Sequence, residues 1–576
     1  MDTSSHRSTV RGLAIGVGLL AFALRLMTIR DLTNDHYMHL AWAQQVLFGQ
    51  VPGRDFVDPG MPLMYMLSAV VQWFSPGPFS EAVLTCTLLA IAASVTLLVT
   101  TELTGSIAFG VAATLLEIAL EPRLYSYPKI LVPAVALLLI QRYVRQPSRL
   151  RLLYLAAWTA VAVLLRHDLG LYAAAGIGCA LVVAHRADWR RALRALGEYA
   201  IALVVMMSPY VLFVQWSEGL VEHLHEAVEF AKGEAHQRFI TPPAFPFWSN
   251  ASGLLSWSRL DAAVFLFYGA HLLAILCLLL LVRSKDTSRR PVAAAGFAML
   301  VMYLVVVLRH PIDSRIRDVA ALLGIVGAWM LAETWQRAAI AAHEGWSGRA
   351  IASSASLAAA AALAAGAIVN TWILGEVANR LQETRVADGI GTIEHRVRVV
   401  KETGTVWPWE RFWPAGGMPP AVRYLNACTT RDDAVLITWA APEYYYFAQR
   451  RFGAGHALFL PPDAFTTPHD RERMVQRIRH DRIPIVLINE TRRAEFAAAY
   501  PEVDRYISDE YVAVGHFDIR DGSRITVAVG RQFKATGTYD EEGWPCGFDS
   551  RAARRTASIM LDGSAIPFPA ISNAVP

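Results

Sequence analysis

The chain has 576 residues, of which 54% are hydrophobic and only 18% charged, with a mean hydropathy of +0.33 and a net charge of +4. Ordinary soluble domains carry about 25% charged residues, so a single soluble domain is excluded, and so is a disordered chain. The 53 basic residues include only five Lys and gather in no single footprint, which argues against a nucleic-acid partner.

In chain order, the first apolar span covers about 11–29 behind Arg7 and Arg11, with no small-residue cleavage site after it. This pattern predicts a retained helix, not a removed signal. A polar stretch follows at 30–60, carrying Asp31, Asp35, Asp55 and Asp58. Helical apolar spacing at 36–48, then a 14-residue apolar run at 61–74 bounded by Pro-Gly signals, predict two juxtamembrane helices. A bilayer needs about 20 apolar residues, so the second run is too short to span. Ten more spans are predicted at 79–101, 104–121, 126–143, 152–166, 168–185, 198–216, 261–283, 291–308, 316–335 and 350–375. With eleven spans, the Arg-rich loops 142–151, 186–194, 283–290 and 336–349 all fall on one side. The positive-inside rule makes that side cytoplasmic. The N-terminus is then expected inside, and residues 376–576 outside, a multi-pass arrangement in the cell inner membrane.

The C-terminal third changes character. Strand candidates are 434–439, 483–489, 511–519 and 525–529, with helical patterns at 442–451 and 468–480 and a hairpin signal, Arg520-Asp521-Gly522-Ser523. The expected organisation is a transmembrane module at 1–375, a connector at 376–420, an extracytoplasmic α/β domain at 421–550 and a tail at 551–576. Within the connector, VWPWERFWP at 406–414 suits lipid headgroups or the membrane module. Cys86, Cys179 and Cys277 lie in apolar spans, whereas Cys428 and Cys546 lie in the exported part, where pairing is allowed but spacing does not decide it.

Five constellations offer chemistry. Asp35 heads the first juxtamembrane helix, where an N-cap and a catalytic carboxylate are both served by helix-terminal N–H groups. Asp58 precedes PGMPL and either starts a turn or holds a cation or acceptor. Lys129, in EPRLYSYPKIL with Arg123, Tyr125 and Tyr127, is the only Lys inside a span. An intramembrane cation is a functional candidate by default, although snorkelling is the plain alternative. Arg166, His167 and Asp168 form a tight outer turn, and Arg315, Arg317 and Asp318 open the tenth span on its outer side. Outer cations invite an anionic ligand, or else pair with Asp313 or Asp318. Finally, Glu222, His225, Glu226 and Glu229 share a helical face near His223 and His236, a weak metal signature beside a solvated face. No Walker loop, GxGxxG, GxSxG or HExxH occurs.

The order of these features resembles the GT-C membrane glycosyltransferases. Within them it is most similar to the bacterial protein-mannosyltransferase / aminoarabinose-transferase branch (dolichyl-phosphate-mannose-protein mannosyltransferase family). NDHYMHLAWAQQVLFGQ looks like that branch's D-E-x-x-Y segment, with His36 in place of its second acid. RDFVDPGMPLMYML looks like its [DE]-K-P-P-L segment, with Asp58 as the acid and Gly60 and Met61 replacing family residues. RLYSYPKILVPAVALLL and SRIRDVAALLGIVGAW are similar to two of its spans. The resemblance implies a GT-C-like polytopic fold and inverting transfer from a polyprenyl-phosphate-linked sugar to a glycan, lipid or protein acceptor in the cell envelope. It also implies Asp35 as base, Lys129 and Arg315 as phosphate ligands with Arg166, Arg123 and Tyr127 in support, and Asp58 at the acceptor or a divalent cation. No other cofactor is expected. Two rivals are a lipid-linked glycan transporter, which typically shows repeated interrupted spans in corresponding halves that are missing here, and an inactive scaffold of the same fold.

Overall fold

The computed structural model describes residues 3–548 apart from 30–31, 33, 59, 237–240, 247–256, 285, 309–310, 344–347, 386–387, 390, 393, 396, 399–419, 460–467 and 520–521. The 406–414 segment, the hairpin residues Arg520 and Asp521, and the tail lie outside the described residues. The chain divides near residue 418 into two units, the second excluding residues 463–467.

The first unit is helical. Helix α1 (Thr3–Met27) is followed by the short α2 (Asn34–Leu47) and α3 (Pro62–Phe74), then by α4 (Pro78–Thr104) and α5 (Ile107–Leu120). Next come α6 (Tyr127–Arg145), α7 (Arg149–Leu165), α8 (His167–Ala184), α9 (Trp189–Ser217) and α10 (Leu220–His236). The unit continues with α11 (Arg259–Arg283), α12 (Arg290–Val307), α13 (Ala320–His343), α14 (Gly348–Leu374) and α15 (Val377–Thr384). Local signals set many of these boundaries. Pro opens α3 and α4 at a position that lacks an intrahelical N–H partner anyway. Asp188 and Ser258 cap α9 and α11, the latter through a reciprocal box with Asp261.

Among the described residues, eight helices are long and apolar enough to cross a membrane: those at 7–27, 78–104, 124–145, 167–184, 189–217, 259–283, 290–307 and 351–374. The other three expected spans are helices too. However, α5 and α7 are short, and α13 carries Glu333 and Arg337 in its second half. All three are held by neighbouring helices, which lets them depart from the apolar length a lone helix needs. Small residues bring the helices close, as apolar lipid supplies no hydrophobic drive between them. Gly18 of α1 lies against Ser94 of α4, whose hydroxyl donates to the Ala14 carbonyl at 2.9 Å. Gly324 of α13 lies against Ala113 of α5.

The second unit is an α/β domain. Its five-stranded sheet has the order β2-β1-β3-β5-β4, formed by β1 (Ala434–Ile437), β2 (Arg451–Phe452), β3 (Ile485–Asn489), β4 (Tyr511–Asp518) and β5 (Arg524–Gly530). Strands β1, β2 and β3 are parallel, while β5 runs antiparallel to β3 and β4. β1 and β3 are buried along their whole length, as central strands covered on both faces must be. Phe459, Phe496, Tyr500, Val503 and Ile507 pack on Leu436, Val486 and Ile488. The four strands read from sequence are present, the first ending at Ile437, not Trp439. The ribbon β6 (Ala535–Tyr539) with β7 (Trp544–Phe548) was missed, because β6 is exposed and lacks an apolar face.

Cys428 and Cys546 are joined in a disulfide that links residues 118 apart in sequence and ties the helix Pro420–Cys428 to the ribbon. A bridge closing a loop of that length is worth about 2–5 kcal/mol. Cys428→Ser is expected to lower the stability of this unit by that amount, read as a lower denaturation midpoint that added reductant no longer changes.

Candidate functional site

The site begins with a buried carboxylate. Asp318, fully buried in the helical turn Ile316–Val319 before α13, accepts from Lys129 Nζ of α6 at 2.5 Å and from an Arg123 guanidinium nitrogen at 2.9 Å. Lys129 is itself only 3% exposed. It does not snorkel: its ammonium is spent inside the protein. Arg166 and Arg315 both lie within electrostatic reach of Asp318. Arg166, in the turn between α7 and α8, grips Asp168 with two bonds of 2.7 and 2.6 Å. Arg315 ends a one-turn helix, Ile312–Arg315. Four cations from four separate elements thus converge on one place. The Nε atoms of Arg123 and Arg315 are buried without a hydrogen-bond partner.

Asp35 joins this cluster through aromatic side chains. It stands in the first turn of α2, partly exposed, and shares a side-chain hydrogen bond with Tyr125. The Arg123 guanidinium lies 4.8 Å from the centre of the same Tyr125 ring. His36 and His39, both buried in α2, meet the ring edge-on at 5.7 and 6.2 Å. Burial, aided by the charges of His39 and Arg25, holds the His36 imidazole well below its ordinary range. Burial pulls His39 down to about 4, with Asp35 opposing and Arg166 adding to the fall. Both rings are neutral at pH 7.

A stability prediction follows from the sign of these shifts. An unfolded imidazole takes its proton near 6.5, whereas folded His39 resists protonation down to about 4. Between those values the unfolded chain binds more protons, so stability is complete above pH 6.5 and falls as pH drops toward 4. Each unit of separation is worth about 1.4 kcal/mol. Thermal unfolding of the purified protein should therefore be markedly easier at pH 5 than at pH 7.5, and His39→Phe should flatten that slope.

Asp58 belongs to a second cluster. Its carboxylate accepts from the Gly60 N–H at 3.0 Å and from the Tyr210 hydroxyl at 3.4 Å. Tyr210 also reaches His167 Nε2 at 3.0 Å, and the His167 ring lies 5.4 Å from that of His223. His223 Nδ1 stands 3.4 Å from a Glu218 oxygen. Gly60 is required here: its φ is +76°, and a Cβ would lie 2.8 Å from His167 Nδ1. Burial raises the Asp58 carboxyl, against the opposing pull of the Gly60 N–H and of His223. The His223 imidazole is lowered by burial but raised further by Glu218, for a net rise. Its Nε2 is buried without a hydrogen-bond partner in a side chain only 7% exposed. Asp58 and His223 lie within electrostatic reach of one another, and they are the side chains of this cluster that could hold a divalent cation.

The residues named from sequence therefore separate into three places. Asp35, Arg123, Lys129, Arg166 and Arg315 share the first cluster, and Asp58 anchors the second. Tyr127 is buried in α6 with its hydroxyl unpaired, and its electrostatic neighbour is Glu81 rather than the cations. Arg317 also stands apart from Asp318, with bonds to the carbonyls of Asp313 and Leu374 and to Glu121. On α10, Glu229 pairs with Lys232, and His223 turns to the Asp58 cluster; His236 lies outside the described side chains. From sequence, Asp318 enters only as one possible ion-pair partner of Arg315 or Arg317 at the helix end. The missed signal was its place in a buried run, RDVAALL, where a carboxylate needs a partner from elsewhere. Tyr125 stood in the Lys129 constellation, whereas His39 and Tyr210 carried no pattern that could single them out.

No family model matches the chain, and no curated protein matches it. Among solved structures, the crystal structure of ArnT from Cupriavidus metallidurans bound to undecaprenyl phosphate is similar, with 12% sequence identity, a TM-score of 0.49, and coverage of 90% of this chain and 98% of that one.

Proposed function

We propose that this protein is a GT-C-type membrane glycosyltransferase that moves a sugar from a polyprenyl-phosphate donor to an acceptor hydroxyl with inversion. One observation carries the reading: Arg123, Lys129, Arg166 and Arg315 converge beside Asp35, with unsatisfied guanidinium nitrogens on Arg123 and Arg315. Asp318, Asp168 and Asp35 offset three of these four charges, and the positive charge left over, with the unsatisfied guanidinium nitrogens, suits an anion, which the donor phosphate supplies. The motif order resembling this family supports the same reading.

The chemistry balances without an acid. The acceptor oxygen attacks the anomeric carbon as the carbon–phosphate-oxygen bond breaks, and the electron pair leaves on the phosphate. The acceptor proton passes to the Asp35 carboxylate. Cations fixed around the leaving group stabilise the charge that develops on it. In-line displacement inverts the anomeric centre. Asp58 positions the acceptor, or with His223 holds a divalent cation whose charge would steady that loop. In this reading the N-terminus is cytoplasmic, and the site and the second unit face the extracytoplasmic side. The donor sugar is left to experiment: mass spectrometry of envelope glycans and glycolipids, with and without the protein, should show loss of one sugar increment and accumulation of a lipid-linked sugar. An unchanged glycan inventory, together with no binding of undecaprenyl phosphate by the purified protein, would sink the proposal.

A further inference from the structure

Beside the first cluster lies a partly open cavity of about 240 Å³, lined by the end of α1, the α5–α6 connection and the α14–α15 region. Five arginines line it: Arg25, Arg123, Arg259, Arg317 and Arg380. Its carboxylates are Glu121, Glu376 and Glu383. Glu121 is shared by Arg25, Arg317 and Arg380, so three guanidiniums meet one carboxylate. Arg259 pairs with Glu376 at 3.2 Å. The lining carries five arginines against three carboxylates, and since Arg123 also pairs with Asp318, one positive charge is left in excess. His36, only 2% exposed, also lines the cavity, and its Nε2 is buried without a hydrogen-bond partner.

The walls are held rigidly. Glu121 and Glu376 both adopt left-handed backbone conformations, with φ of 51° and 47°. Each such non-glycine residue costs about 1–3 kcal/mol and persists only where its surroundings impose it. Gly375, next to Glu376, packs directly on the Ala119 carbonyl, where a Cβ would not fit.

We propose that this cavity is a second anion subsite, which seats a phosphate or carboxylate carried by the acceptor. The inference rests on the neighbouring cluster being the donor-phosphate site. The two places share Arg123 and the Tyr125 ring, and Tyr125 is the residue bonded to Asp35. The base therefore stands at the junction of two cationic sites. Inversion requires the nucleophile to enter opposite the leaving phosphate, so a cationic cavity that adjoins the base but is not lined by Lys129, Arg166 or Arg315 suits the acceptor. The other source of the same chemistry is a second phosphate on the donor lipid.

The test uses the full-length protein in nanodiscs, with inorganic phosphate, undecaprenyl phosphate and undecaprenyl diphosphate as probes. Phosphate should bind at two sites, and saturation with undecaprenyl phosphate should remove only one. Arg259→Gln/Arg380→Gln should weaken the remaining site about tenfold and leave undecaprenyl phosphate binding within about twofold. Arg259→Lys/Arg380→Lys, which keeps the charge, should retain most of it and shows that the pair of changes is tolerated by the fold. If undecaprenyl diphosphate displaces both phosphates, and the Gln variant loses its preference for diphosphate over monophosphate, the anion belongs to the donor and the acceptor assignment is overturned. A single phosphate site, fully displaced by undecaprenyl phosphate and unchanged in the Gln variant, overturns the subsite itself. Failure of undecaprenyl phosphate to bind wild-type protein overturns the donor reading instead.

Discussion

Asp35→Asn is expected to reduce sugar transfer by roughly 10²–10⁴-fold, the usual contribution of a positioned general base. The change keeps the size of the side chain and its capacity to accept from Tyr125, so α2 should still form. The cations proposed to hold the donor phosphate are untouched, and undecaprenyl phosphate affinity should therefore stay close to wild type. Loss of one negative charge beside Arg123 should even tighten it slightly. Measuring transfer and lipid binding on the same preparation separates the two roles open to this residue. A helix cap alone predicts a small loss of stability of about 1 kcal/mol with activity preserved. Unchanged turnover in a folded variant removes Asp35 as base.

The largest stability effect is expected at Asp318. Asp318→Asn leaves Lys129 and Arg123 buried without their shared counter-charge. Breaking a buried pair from one side costs about 3–5 kcal/mol, because the stranded charge keeps its desolvation penalty. Thermal unfolding in detergent should show a large drop. The same measurement contains its control: undecaprenyl phosphate should restabilise the variant more than it stabilises wild type, as its phosphate replaces the missing anion. Lys129→Met/Asp318→Asn should recover part of the loss, since one stranded cation is removed with the carboxylate. Equal ligand stabilisation of variant and wild type would mean the lipid phosphate sits elsewhere.

The membrane architecture was legible because bilayer length and apolar composition act locally. Spans such as 259–283 and 290–307 announce themselves residue by residue. The parallel strands of the second unit were legible for a related reason: AVLI and IVLIN are continuous apolar runs between turn signals. β6 was not, because its pairing with β7 draws on backbone hydrogen bonds and not on an apolar face. Lys129 stood out because a charge inside a span is costly and needs a reason. Its partner Asp318 lies 189 residues away, and no local pattern connects the two. The Glu121 cradle is similar: Arg25, Arg317 and Arg380 come from three distant segments.

By itself the sequence determined that this is a many-helix membrane chain with an α/β domain behind it, and it singled out Asp35, Asp58, Lys129 and a few arginines while leaving capping, turn and snorkelling roles open for them. Those are consequences of short-range physics: hydropathy, helix length, capping and the cost of isolated charge. Only the tertiary structure decided which charge meets which. Whether Lys129 reaches the interface or binds Asp318, and whether His223 faces solvent or Asp58, depends on how distant helices pack. Coulomb energy in a low-dielectric interior depends on distance in space, and distance along the chain does not encode it.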